Sequence, residues 1–157
     1  MSCEPPDVPT VFIDRSMGRY VVGHAIRAVH ERVLLHDDVF QQDEPDDLWL
    51  ARAGAENWIV LTRDKRIRYN PAERAAIVDC KARVFVFTGG NVTGTRMGEI
   101  LADAVPRILK YSEEHRGPFL VRIDQSGGLL ALALSRSTVT GTRAARRGPS
   151  GPSGRKL

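Results

Sequence analysis

Four short, unbroken apolar runs constrain this chain most: Val11-Phe12-Ile13, Val33-Leu34-Leu35, Trp58-Ile59-Val60-Leu61-Thr62 and Val84-Phe85-Val86-Phe87-Thr88. A strand with one wet face alternates apolar and polar residues, whereas a continuous apolar run marks a strand covered on both faces. Helix-period or capped segments lie between the runs. Val22, Ala25, Ile26, Val29 and Val33 repeat at helical spacing, which predicts a helix over residues 18–33. A short helix is expected over 47–54 with Asp46 as its N-cap, and another from Pro71 to about Asp79. Strands alternating with helices dictate an α/β domain, a mostly parallel sheet between two helical layers.

The remainder of the chain extends that plan. A long helix follows Gly94, with Met97, Ile100, Leu101, Ala104 and Ile108 on one face, and Pro106 is expected to kink or split it. Phe119–Ile123 and Leu129–Leu134, separated by Ser126-Gly127-Gly128, predict a C-terminal hairpin. At 157 residues the chain fits one domain, and it holds no internal repeat.

Charge is informative only when divided along the chain. Six of the 23 bases lie in residues 136–157 without an acid, so residues 1–135 carry 17 bases against 19 acids. The expected organisation is a leader over 1–10, a domain over 11–135 and a basic tail over 136–157. The tail is rich in Gly, Pro, Ser and Arg, and it is read as disordered, either solvated or helping to hold an acidic polymer. The leader has no signal-type apolar run, no stretch is long enough to cross a bilayer, and Cys3 and Cys80 suggest no disulfide framework. The expected location is cytoplasmic, with no membrane partner.

Ligands of parallel α/β sheets bind beyond the carboxyl ends of the strands. Asp14 and Asp64 follow two of the apolar runs, and Asp46 starts a helix at the same edge. Each alone also fits a turn or a helix cap. Together on one edge, unpaired carboxylates would repel one another and raise their pKa values. A divalent cation removes that cost, so Asp14, Asp46 and Asp64 are the candidate catalytic and metal-ligating residues, with Mg²⁺ as cofactor. Arg15, Arg63, Lys65, Arg66 and Arg68 flank two of these acids. A cationic rim around an acidic centre suits a phosphodiester, although charged loops are also ordinary surface.

Three stretches resemble a known family: Phe12-Ile13-Asp14-Arg15-Ser16-Met17-Gly18, Pro45-Asp46-Asp47-Leu48-Trp49-Leu50 after Val39-Phe40, and Trp58 through Asp64 to Arg68. They are similar to the PIN-like domain of VapC-type toxins, and Thr88-Gly89-Gly90-Asn91 and Gly117-Pro118-Phe119 extend the likeness across roughly residues 11–127. The resemblance implies a PIN-like α/β/α fold, an endoribonuclease using Mg²⁺ or Mn²⁺, and an antitoxin partner that covers the site. It places the metal ligands at Asp14, Asp46 and Asp64. Many PIN domains have a fourth acid, for which Glu44, Asp47 and Glu73 are all open, and Arg15 stands where other branches carry a second acid. Homodimer formation is also left open.

Other chemistries fit less well. Gly89 to Thr95 imitates a phosphate-binding loop but has no lysine after its second glycine. The four histidines share no metal-ligand spacing. A receiver domain would need paired acids after the first strand, where Asp14-Arg15 stands, and a lysine after the last parallel strand. A PIN-like binding module without catalysis remains the main alternative to an enzyme.

Overall fold

The computed structural model describes residues 8–18, 20–40, 46–64 and 66–134, with the backbone alone at Asp46 and Asp47. Residues 135–157, expected to form the tail, lie outside the described residues, as do Lys65, Glu44 and most of the leader.

The apolar runs become β1 (Val11–Ile13), β2 (Val33–Leu35), β3 (Ile59–Thr62) and β4 (Arg83–Phe87). With β5 (Phe119–Ile123) and β6 (Leu129–Leu132) they form a six-stranded sheet in the order β2-β1-β3-β4-β5-β6. Every pairing is parallel except β5 with β6, the expected hairpin. Asp124 fixes its turn, its Oδ1 accepting from the amides of Ser126 and Gly128, both at 2.9 Å.

Side chains alternate across the strands and create two cores. Val11, Ile13, Ile59, Leu61 and Phe85 pack beneath α1 (Val21–Arg27) and α6 (Gly94–Glu114). Phe12, Val60, Val84 and Val86 point to the other face, against Trp49, Leu50, Ile67 and Ile77. Those four belong to α3 (Asp46–Ala55), α4 (Arg66–Tyr69) and α5 (Pro71–Cys80). The chain is therefore a three-layer α/β/α domain, with each sheet face buried by its own set of helices.

Three local expectations are corrected. Residues 18–33 do not form one helix: a 3-10 turn spans Arg15–Met17, Gly18 takes φ 91°, and α1 ends at Arg27. Val29, although in phase with α1, is exposed, and Val33 belongs to β2. After β2 the chain forms a single helical turn, α2 (His36–Val39). Pro106 does not split α6, which runs through 21 residues. Pro106 is exposed, so water can satisfy the carbonyl that proline leaves without an amide. Asp46, expected as the N-cap of a helix over 47–54, is instead the first residue of α3, a shift of one residue within the usual latitude of helix ends.

The α3–α5 contact depends on one missing side chain. A Cβ at Gly54 would run into the backbone carbonyl of Cys80. Gly54→Ala should push α3 away from α5 and cost about 1–3 kcal/mol, as overpacking typically does. In a thermal melt this should lower Tm by about 2–10 °C. An unchanged Tm would show that the two helices part without strain.

Candidate active site

Strand order and chain order together locate the site. From β1 the chain crosses to β2 on one side, then returns to place β3 on the other. The order therefore reverses between β1 and β3, where a parallel α/β sheet leaves a crevice beyond its strand ends. The register sets Ile13 beside Leu61, so Asp14 and Thr62 follow side by side at the carboxyl ends of these strands. The Asp14 amide donates to the Leu61 carbonyl at 2.9 Å, continuing the ladder to the site itself.

Asp14 is 8% exposed and caps the 3-10 turn. Its Oδ2 accepts from Thr62 Oγ1 at 2.8 Å and from Ser16 Oγ at 2.7 Å. Ser16 Oγ also accepts from the Arg63 amide at 2.9 Å, and Thr62 Oγ1 accepts from the Asp64 amide at 3.1 Å. Two hydroxyls thus bind the carboxylate after β1 to the backbone that carries the acid after β3. Thr62 is fully buried, so few rotamers can meet both demands.

Asp64 is held by a different device. Arg66 closes on both of its oxygens, with Nε 3.2 Å from each and Nη2 2.8 Å from Oδ2. The Arg66 amide adds a bond to Oδ1 at 2.9 Å. These bonds hold the Asp64 carboxyl below its ordinary pKa, against a smaller opposing effect of burial. An unpaired acid cluster would raise the pKa. Arg66 instead supplies the compensating charge from within the chain.

Asp14 and Asp64 are thus brought to adjacent strand ends. Asp46 begins α3, and its side chain lies outside the described residues. Among the described residues, no group of three or more His, Cys, Asp or Glu side chains gathers as a metal cage. Glu73 approaches through Arg66, whose Nε lies 3.8 Å from Glu73 Oε2. Of the flanking bases, Arg15 is exposed, and Arg63 Nη2 donates to the Gly90 carbonyl at 3.0 Å. The Arg68 guanidinium lies over the Tyr69 ring, 4.8 Å from its centroid.

A family model described as PIN like domain matches residues 9–89, just over half of the 157 residues, a span within which the three candidate acids lie. The chain belongs to the PIN-like domain family. It is also 24% identical over 124 residues to a protein of Mycobacterium tuberculosis (strain ATCC 25618 / H37Rv) named "Putative ribonuclease VapC45". That likeness spans 76% of this chain and 89% of the relative. No solved structure matches the chain. Among the described residues of this PIN-like domain, no helix is long and apolar enough to cross a membrane.

Ser16 and Thr62 were not legible as site residues. A hydroxyl two residues after Asp14 reads as a turn, and a threonine ending an apolar run reads as strand. Their roles appear only once β1 and β3 are set in register.

Proposed function

We propose that this PIN-like domain is a divalent-metal-dependent endoribonuclease, the toxin of a VapBC-type toxin–antitoxin pair. The observation that carries the reading is the placement of Asp14 and Asp64 after the ends of adjacent strands at the sheet's reversal point. The family match and the ribonuclease name of the mycobacterial relative support it. Asp14, Asp46 and Asp64 are the proposed ligands and catalytic residues, and their oxygen donors suit Mg²⁺, with Mn²⁺ able to substitute. Such an ion supplies Lewis acidity at the phosphoryl group and a water nucleophile at neutral pH.

The chain's own residues do the positioning. Thr62 and Ser16 fix the Asp14 carboxylate, as groups behind metal ligands commonly do. Arg66 balances the charge of Asp64 from within the chain. Arg15, Arg63, Lys65, Arg66 and Arg68 form the proposed RNA-binding rim, with arginines suited to forked contact with phosphate. A cognate antitoxin would cover this crevice, and cytoplasmic RNA would be the substrate.

The purified chain, freed of any partner, should cut RNA with Mg²⁺ or Mn²⁺, act weakly with Ca²⁺ and fall silent in EDTA. Water attack leaves a 5′-phosphate and a 3′-hydroxyl, readable by end-labelling. Cleavage that survives EDTA, or a 2′,3′-cyclic phosphate product, would overturn the mechanism.

The double engagement of Asp64 by Arg66 favours a second reading, a PIN-like module that binds RNA or protein without cutting. Isothermal titration with Mn²⁺ decides between them. A chain that takes up no Mn²⁺ and cuts no RNA is the binding module.

A further inference from the structure

Beside the acids, at the carboxyl ends of β3 and β4, lies a pocket of about 270 Å³ lined by Arg63, Arg68, Phe87, Thr88 and Asn91, among others. Arg63 walls it, reaching from the end of β3 to the Gly90 carbonyl in the loop after β4. Phe87, 2% exposed, forms an apolar floor, while Asn91 stands exposed at the rim. Arg68 lies against the Tyr69 ring, yet its Nε is buried without a hydrogen-bond partner among the described residues. Tyr69 itself is 67% exposed. A large aromatic ring so open to water, braced by a guanidinium next to a cationic pocket, has no part in either core.

These parts match the chemistry of one nucleotide. Two guanidinium groups suit a phosphate. Thr88 and Asn91 offer neutral polar groups to a sugar, and an exposed ring stacked on arginine offers a platform for a base. The volume falls just below the ~300–1,000 Å³ of ordinary small-molecule pockets. That admits a single unstacked nucleotide and excludes a base pair. Arg63 directly precedes Asp64, so whatever fills the pocket lies next to whatever the acids hold.

We infer that this pocket, with Tyr69 at its side, binds one nucleotide of single-stranded RNA adjacent to the scissile phosphate; the words "RNA" and "scissile" rest on the nuclease reading above. The phosphate sits on Arg63 and Arg68, and the base stacks on Tyr69. The site therefore selects unpaired RNA, because a duplex cannot give up a base to the platform without unpairing.

The test uses the full chain in EDTA, with fluorescence anisotropy of a labelled short single-stranded RNA as readout. Tyr69→Ala should weaken binding by about 5- to 100-fold, the usual range for loss of one base-stacking ring, and Tyr69→Phe should bind within about twofold of the parent chain. Arg68→Ala should weaken binding and reduce the slope of log affinity against log salt by about 0.7. Exposed Asn91→Ala serves as a second variant with no core contact to lose, and its binding should also fall. The same RNA annealed to its complement should compete poorly. Unchanged affinity in Tyr69→Ala and Arg68→Ala, equal binding of duplex, or no RNA binding by the parent chain would overturn the subsite. The two readings fail separately. A chain that cuts RNA with Mn²⁺ but binds it regardless of Tyr69 and Arg68 loses only the subsite, and one that binds through them but never cuts loses only the nuclease.

Discussion

Asp64→Asn is expected to abolish RNA cleavage, by more than about 100-fold, while the chain still folds. Loss of a group merely supporting a metal ligand commonly costs 10–100-fold, and loss of the ligand itself should cost more. Asparagine preserves the shape of the side chain but not its charge, so both the proposed metal bond and the fork with Arg66 are lost. The stability change should be small, because that pair is partly exposed and such pairs are worth ~0.2–1 kcal/mol. Its sign follows from the pKa. Arg66 holds the folded-state carboxyl below its unfolded value, so the stabilisation is present above the usual carboxylate range and disappears as pH falls through it. The variant should therefore melt slightly below the parent at pH 7, and the gap should close in acid. An active variant would remove Asp64 from the site, and one that melts higher at pH 7 would show repulsion where Arg66 is argued to supply balance.

That sign could not be read from the sequence. Three acids converging on one edge predict mutual repulsion, and Arg66 reads as a rim cation two residues away. Only the backbone path of α4 turns its guanidinium back onto Asp64. The strands were legible because burial on both faces leaves continuous apolar runs, and the positions of Asp14 and Asp64 beyond strand ends were legible because each follows one of those runs. The 18–33 segment misled for a physical reason: Val29 and Val33 keep the helical phase by coincidence, one exposed and the other in a strand. Helix α4 spans four residues, about one turn, too few for a period, so Arg68 and Tyr69 could not be assigned a common platform. Residues joined by register or by a short turn are hidden from pattern. Residues that end a periodic element are not.

Thr62→Val tests whether the hydroxyl bridge is part of the machinery or only of the fold. Valine matches threonine in shape, so the buried site keeps its packing, but Asp14 Oδ2 loses a donor at 2.8 Å and the Asp64 amide loses an acceptor at 3.1 Å. Leaving such groups unpaired costs ~1–3 kcal/mol each, less where water reaches them. A lower Tm is thus expected on structural grounds alone and cannot decide the matter. The deciding readouts are Mn²⁺ affinity and kcat/KM for RNA at saturating metal, both of which should fall by about 10–100-fold if Thr62 orients the Asp14 carboxylate toward an ion. Thr62→Ser keeps the hydroxyl and loses only a methyl group, so it should recover most of the affinity and activity even if its Tm stays low. If Thr62→Val loses Tm alone, Thr62 is a strand residue that happens to adjoin the acids. If affinity and cleavage fall together and serine restores both, the register between β1 and β3 is itself a determinant of the site, because that register places Thr62 beside Asp14.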